Sequence, residues 1–381
     1  FEAAMSQVAA TMGMSTEEIH NGSAEFTKLQ EAAKNAGATT MFSATQAADA
    51  LNYMALAGYD TNKAVNTLPT ILNLAAAGNM DLATSSDMVT DSMSALGDKA
   101  GTVESFVDKM AKTSQKSNTS VQQLGEALLT VGGTAKSLAG GVTEANTVLG
   151  IFADNGVKGA EGGTALRNVI LSLSAPTDTA RKKMEELGLN VFDAEGKMRP
   201  LNGTFNDLNK ILGSMNESER TQVLNTIFNK VDLKSVNALL ANSGERFDQL
   251  KGYIENADGA AGQMADTMQD NLKGKLTALN SALEGLGIGI YENIEESLKE
   301  AAEEGINAVG RVSNALQNSG LDAAVEEAGA VLADLSVKVA QSAPKMVNAS
   351  VSLLKAFVKG IANNKNQLKK SATDIVNTLC S

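Results

Sequence analysis

The sequence predicts an all-α fold: a stack of short helices with one small β-hairpin, followed by long amphipathic helices. Three observations lead there. Hydrophobic residues make up 43% of the 381 residues but aromatics only 4%, with no Trp, so the core must rest on Ala, Leu, Val, Ile and Met, which suit closely packed helices. Helix start and stop chemistry recurs through the first half. From Met264 onward, apolar residues hold a spacing of three or four without interruption.

Ser43-Ala44-Thr45-Gln46 is a capping-box pattern, in which the Ser43 hydroxyl and the Gln46 side chain satisfy orphan amides. The helix it opens carries Ala47, Leu51, Met54 and Ala55 at helical spacing and stops at Gly58. Thr61 caps a segment running to Gly78, Asp81 opens one ending near Gly97, and Thr102, Thr119 and Thr143 begin others. Pro176 stands at the start of Thr177 to Leu187, where its missing amide proton does no harm, and Gly188 closes that helix. The period then changes: Leu189 to Phe192 and Lys197 to Leu201 flank Asp193-Ala194-Glu195-Gly196, which reads as a small hairpin. Helical patterning resumes near Thr204, with segments from Glu217, Asp232 and Gly244.

Asn256-Ala257-Asp258-Gly259 breaks the pattern, and the domain boundary is placed there, giving a helical region 1–258 and an extended amphipathic region 259–381. In the second region Met264, Met268, Leu272, Leu276, Leu279, Leu283, Leu286, Ile290, Ile294 and Leu298 form a continuous packing stripe. A helix from Ala260 to Ala308 would span roughly 70 Å at about 1.5 Å per residue. Gly285, Gly287 and Gly289 either kink it or allow close backbone approach. Two further amphipathic helices are expected, Leu321 to Ser342 and Pro344 to Ala362, with a last one from Asn366. An acidic stretch from Glu292 to Asp334 precedes lysines at 338, 345, 355, 359, 365, 369 and 370; antiparallel pairing of the two blocks is one arrangement open to them. Because the chain opens at Phe1 and ends within a helical pattern, it reads as a piece of something longer.

The inventory of reactive groups is thin. A net charge of −12 repels a phosphate backbone, so no specific nucleic-acid site is expected. One cysteine, Cys380, excludes an internal disulfide, and with one histidine, His20, it excludes histidine-pair and cysteine-rich metal sites. Gly156 to Thr164 is glycine-rich ahead of a helix but lacks the Lys and Ser or Thr of a P-loop and the preceding strand of a dinucleotide motif; a close helix–helix turn explains it. Adjacent acids such as Glu185 with Glu186 and Glu295 with Glu296 point to different faces of a helix. The expectation is a structural protein, no enzyme, with no catalytic, cofactor-binding or metal residues. Val347, Val351, Leu354, Val358 and Ile361 share one helical face bordered by Lys355 and Lys359, a layout that suits either a partner helix or an anionic membrane surface.

Several segments together resemble the core region of phage tail tape measure proteins: Phe1 to Met5, Ala38 to Ala44, Ala48 to Gly58, Leu72 to Gly78, Thr84 to Asp91, Gly162 to Arg167 and Met268 to Gly274. Their order and spacing cover roughly Phe1 to Tyr291. The resemblance implies a protein threaded along the lumen of a growing tail tube, around which tube subunits polymerise to the measured length. It also implies coating by tail assembly chaperones, contact with the tube protein and with the hub or baseplate, and expulsion ahead of the DNA with transient host-membrane contact, and the stripe from Met264 to Leu298 can bundle parallel copies of the chain. On that resemblance, residues 1–258 are the tape-measure core, and the protein is made in the bacterial host cytoplasm and ends in the virion tail, at the tube lumen or tip. The competing expectation is a membrane-active, pore-forming helical protein in which Gly285 to Gly289 and the lysine-bordered helix insert.

Overall fold

The computed structural model describes residues 1–319 together with positions 323, 327 and 330. The expected helices Leu321–Ser342 and Pro344–Ala362 and the one from Asn366 lie outside the described residues, apart from those three positions. The elements run α1 (Glu2–Thr11), α2 (Thr16–His20), α3 (Ala24–Thr39), α4 (Ala44–Leu56), α5 (Thr61–Gly78), α6 (Leu82–Leu96), α7 (Val103–Lys116), α8 (Val121–Val131) and α9 (Gly141–Asp154). They continue as α10 (Gly159–Ser174), α11 (Asp178–Glu186), α12 (Leu201–Gly213), α13 (Glu217–Ile227), α14 (Leu233–Asn242), α15 (Glu245–Glu255), α16 (Ala260–Gln269) and α17 (Leu272–Ser319). The fold is all-α.

Local caps set most of the starts. At α4 the Ser43 hydroxyl accepts from the Gln46 amide at 3.2 Å while Gln46 Oε1 accepts from the Ser43 amide at 2.9 Å, the reciprocal pair that a capping box requires. Ser15 with Glu18, Ser120 with Gln123 and Asn216 with Glu219 repeat it for α2, α8 and α13. Two starts shift by one residue from the sequence expectation: Asp60 rather than Thr61 caps α5, and Ser120 rather than Thr119 caps α8. Thr143 lies inside α9, whose N-cap is Gly140. Pro69 sits inside α5, where a proline removes one helix hydrogen bond; burial of Leu68, Ile71, Leu72 and Ala75 on that helix outweighs the loss.

The segment expected as a hairpin makes no strand. It is a turn closed by one antiparallel bridge, Phe192 to Met198. Asp193 Oδ1 takes the amides of Glu195 and Lys197 at 3.1 and 2.8 Å, and Pro200 already caps α12, so each arm is too short to build a ladder.

Helix α9 is the hub: every residue from Gly141 to Ala153 is buried, and α7, α8, α10, α14 and α15 pack around it. Helix α10 packs closely on α8 through the buried Gly163, while the buried Gly162 faces Val157 and, on α9, Leu149, the close helix–helix packing expected of that glycine-rich stretch. At the C-terminal end of α9, Asp154 accepts from the Asn118 amide at 2.7 Å and pairs with Arg246 at 2.8 Å, tying the α7–α8 connection and α15 to the hub.

Two units divide the chain, Phe1–Ala282 and Leu283–Ser381. The division falls beyond the Asn256–Gly259 break because α16 packs back on α5 and α7, burying Ala260, Ala261 and Ala265. Asp108 of α7 caps it from a distance, accepting from the Gly259 and Ala261 amides at 2.8 and 2.9 Å.

Candidate functional surface on the last helix

Asp270 and Asn271 break the long helix expected from Ala260 into α16 and α17. Asn271 restarts it, its side-chain oxygen accepting from the Gly274 amide at 2.9 Å. Gly274 is buried, and a β-carbon there would meet the Gln269 carbonyl, so a glycine is required where the two helices adjoin. Two turns on, the buried Ser281 hydroxyl donates to the Met41 carbonyl at 2.9 Å. The first turns of α17 therefore turn their small residues inward.

The leucines of the same turns face outward. Leu272, Leu276 and Leu279 are 69%, 53% and 55% exposed in the first unit, and Leu283 is 49% exposed at the start of the second. Such values are unusual for a row of large apolar side chains at helical spacing, and rows of this kind mark interaction surfaces. Met268 on α16 is also exposed, whereas Met264 is partly buried against the core, its sulfur 3.8 Å from the Ser114 hydroxyl. The structure thus splits the predicted stripe: Met264 belongs to the body, and Met268 through Leu283 form an exposed seam. Leu286, Ile290, Ile294 and Leu298 lie on α17 with side chains outside the described set, and the face of Val347, Val351, Leu354, Lys355, Val358, Lys359 and Ile361 lies outside the described residues. Helix α17 runs unbroken through Gly285, Gly287 and Gly289.

In the second unit, Arg311 Nε stands 3.1 Å from Glu327 Oε1. Residues sixteen apart on one straight helix would be separated by about 24 Å along its axis. Glu327 therefore lies beside α17 and not along its continuation.

The titratable groups offer no catalytic arrangement among the described residues. Glu144, which sequence reasoning passed over, is the most deeply buried carboxylate; burial pushes it above the ordinary glutamate value, against the opposing pull of the amides of Gly140 and Leu201 and, more weakly, of Lys251 and Lys99. Its oxygens are taken by those two amides at 2.8 and 2.5 Å, so it joins α9 to the start of α12. Burial also raises Asp49 and Asp87, each with a second aspartate adding to the effect, Asp81 and Asp91 respectively. No group of three or more His, Cys, Asp or Glu side chains is placed to hold a metal among the described residues. The polar hollow along α13 from Asn216 to Thr226 holds no nucleophile paired with a base. No described helix is long and apolar enough to cross a membrane.

The family model described as phage-related minor tail protein matches residues 30–229. The chain is 33% identical over 288 residues to the tape measure protein of Pneumococcus phage Dp-1, covering 76% of this chain and 24% of that relative. It is 27% identical over 280 residues to the probable tape measure protein of Escherichia phage P2, covering 72% and 34%. A third, the probable tape measure protein of Clostridium phage phiCD119, is 25% identical over 366 residues, covering 94% and 38%. The chain thus spans between about a quarter and two fifths of the length of these relatives. No solved structure matches it. With that match running from α3 to just past the end of α13, across the hub helix, the chain belongs to the family of phage-related minor tail proteins.

Proposed function

We propose that this chain is part of a tape measure protein: a structural component of the phage tail that sets tube length during assembly, occupies the tube lumen or tip, and leaves ahead of the DNA. The observation that carries this reading is the identity to a tape measure protein along 76% of the chain. Helix geometry supplies the ruler, since each helical residue adds about 1.5 Å of length. Helix α17 alone, at 48 residues, is about 70 Å long. Its partners on this reading are the tube protein, the hub or baseplate, assembly chaperones and parallel copies of itself.

In-frame deletions of successive heptads within residues 298–318 of the full-length protein are expected to shorten tails by about 1.5 Å per deleted residue in electron micrographs of whole particles. Tails of unchanged length and normal assembly would remove the ruler reading.

The exposed seam Met268, Leu272, Leu276, Leu279 and Leu283, continued along the sequence by Leu286, Ile290, Ile294 and Leu298, has the spacing by which helices bundle. In the assembled tail it joins parallel copies, which brings the same residue of neighbouring chains together. A cysteine placed at Leu279, with Cys380 changed to serine, is expected to give disulfide-linked multimers in purified tails. Only monomers on a non-reducing gel, from tails of normal length, would argue against bundling through this seam.

A further inference from the structure

We propose that Asp270 and Asn271 form a two-state hinge: α16 and the first turns of α17, up to Ala282, are bent in the free chain and become one continuous helix when Ser281 leaves the Met41 carbonyl. No proline lies between Gly259 and Ser319, and apolar residues keep a spacing of four across the break, at Met264, Met268, Leu272 and Leu276. The sequence is thus compatible with an unbroken helix. The bend begins with one backbone rotation, since Asp270 has ψ 59° where a helix needs about −42°.

The bent state rests on three groups that a straight helix does not need. The Asn271 side chain spans the break: its Nδ2 donates to the Met268 carbonyl at 2.6 Å and its Oδ1 accepts from the Gly274 amide at 2.9 Å. It stands in for backbone bonds given up at the end of one helix and the start of the next. At Gly274 a β-carbon would run into the Gln269 carbonyl and stand 3.0 Å from Gln269 Cα. Along a continuous helix these two residues are about 7.5 Å apart on the axis, so a side chain fits there and glycine is the poorer choice. The third group is the buried Ser281 hydroxyl, whose 2.9 Å bond to Met41 ties these turns to the α3–α4 connection.

Helix α16 is the fixed side of the hinge. Ala260, Ala261 and Ala265 are buried against α5 and α7, and Asp108 holds its N-terminus. The moving side has less to lose: Leu272, Leu276 and Leu279 are already exposed, so leaving the body uncovers little apolar surface. In return, a continuous helix gives the amides of residues 271–274 the carbonyls of residues 267–270.

Straightening also completes the seam. Met268 stands on one side of the break and Leu272 on the other, and residues four apart share a face only along an unbroken helix. A second copy laid along the whole seam therefore favours the straight state. That coupling rests on the bundling reading above; the hinge itself rests on bonds within one chain and is tested without a second copy.

The test is a pair of distances in the purified full chain with Cys380 changed to serine, read by electron paramagnetic resonance between spin labels on exposed positions. The pair Thr39→Cys with Asn280→Cys reports docking, because these exposed residues adjoin the Met41 and Ser281 contact. The pair Gln263→Cys with Asn280→Cys reports the bend, since the same stretch of straight helix spans about 26 Å. In the parent chain the first distance is expected to be short and the second below that value. Asn271→Ala and Gly274→Ala are each expected to lengthen both, the second settling near 26 Å in a narrow distribution. Gly262→Ala is the control: its β-carbon would meet only Asn73 Nδ2, at 3.6 Å, so it raises helix propensity in α16 and leaves both distances unchanged. Asn271→Ala introduces no clash, and it carries the test where circular dichroism shows that Gly274→Ala does not fold. Unchanged distances in a folded Asn271→Ala chain, a broad second distribution with no population near 26 Å, or a parent chain already at that length would each overturn the hinge.

Discussion

Replacing Gly163 with valine is expected to destabilise the first unit by roughly 3 to 5 kcal/mol, at the upper end of overpacking effects. The reason is what a side chain would meet. A β-carbon at Gly163 would run into the Ala127 carbonyl and stand 2.9 Å from Ala127 Cα and 2.7 Å from Thr130 Cβ. Two of those three atoms are backbone, so no rotamer change on α8 can make room; α8 and α10 must move apart, and the packing of both on α9 loosens with them. Alanine at the same position gains about 1 kcal/mol of helix propensity yet places the same β-carbon in the same space, so it too is expected to destabilise. Gly252 on α15 is the control: nothing lies within 4 Å of its β-position, and Gly252→Ala is expected to be neutral or to stabilise by up to about 1 kcal/mol. Thermal unfolding followed by circular dichroism reads the difference, with a drop on the order of 10 °C for Gly163→Val. An unchanged melting temperature would mean that the α8–α10 crossing has slack that these distances exclude.

That crossing shows which parts of the fold the sequence discloses. Gly163 was legible as close packing, but not its partner, because Ala127 lies on a helix separated from it by the whole of α9. Starts such as Ser43 with Gln46 or Asp81 could be read directly, since the entire interaction fits within four residues. The same rule, applied at Ser15-Thr16-Glu17-Glu18 and at Asn216 with Glu219, would have found α2 and placed the cap of α13. The hairpin failed for a different reason: alternation over three or four residues fits a turn closed by one bridge as well as it fits a strand pair, and the Asp193 side chain settles the turn.

The seam was half legible. Its spacing can be counted in the sequence, but spacing alone does not say whether a stripe faces the body or solvent. The opposite face carried the signal: Gly274, Ala278 and Ser281 recur at helical steps, and the small residues are the ones that seat the helix, through the Ser281 contact to Met41. The break at Asp270–Asn271 was missed because the apolar period passes straight through it. Docking of α16 depends on Asp108, some 150 residues earlier, a cap that no local pattern reveals.

Glu144 was invisible for the same reason, and its removal is the other large effect expected. Its carboxylate accepts from the Gly140 amide at 2.8 Å and from the Leu201 amide at 2.5 Å, one at the start of α9 and one at the start of α12. Alanine leaves the buried Leu201 amide without an acceptor and takes the acceptor from the Gly140 amide, which stands on an exposed residue, and a cost of roughly 1 to 3 kcal/mol is expected. Glutamine keeps the volume but offers a single carbonyl oxygen, so it is expected to cost less, having lost one bond of the two. The pH dependence separates these contributions. Burial raises the folded-state value of Glu144 despite the two amides and the more distant Lys251 and Lys99, so between the ordinary glutamate value and the raised one the folded protein holds a proton that the unfolded chain has released. Stability from this group therefore falls as pH rises through that window and is level above it. The stability of wild type relative to Glu144→Gln, measured by urea unfolding, is expected to shrink across the window and then stay constant. A difference that grew with pH there would mean that the two amide bonds outweigh desolvation, and that the carboxylate is held in its charged form as a latch between α9 and α12.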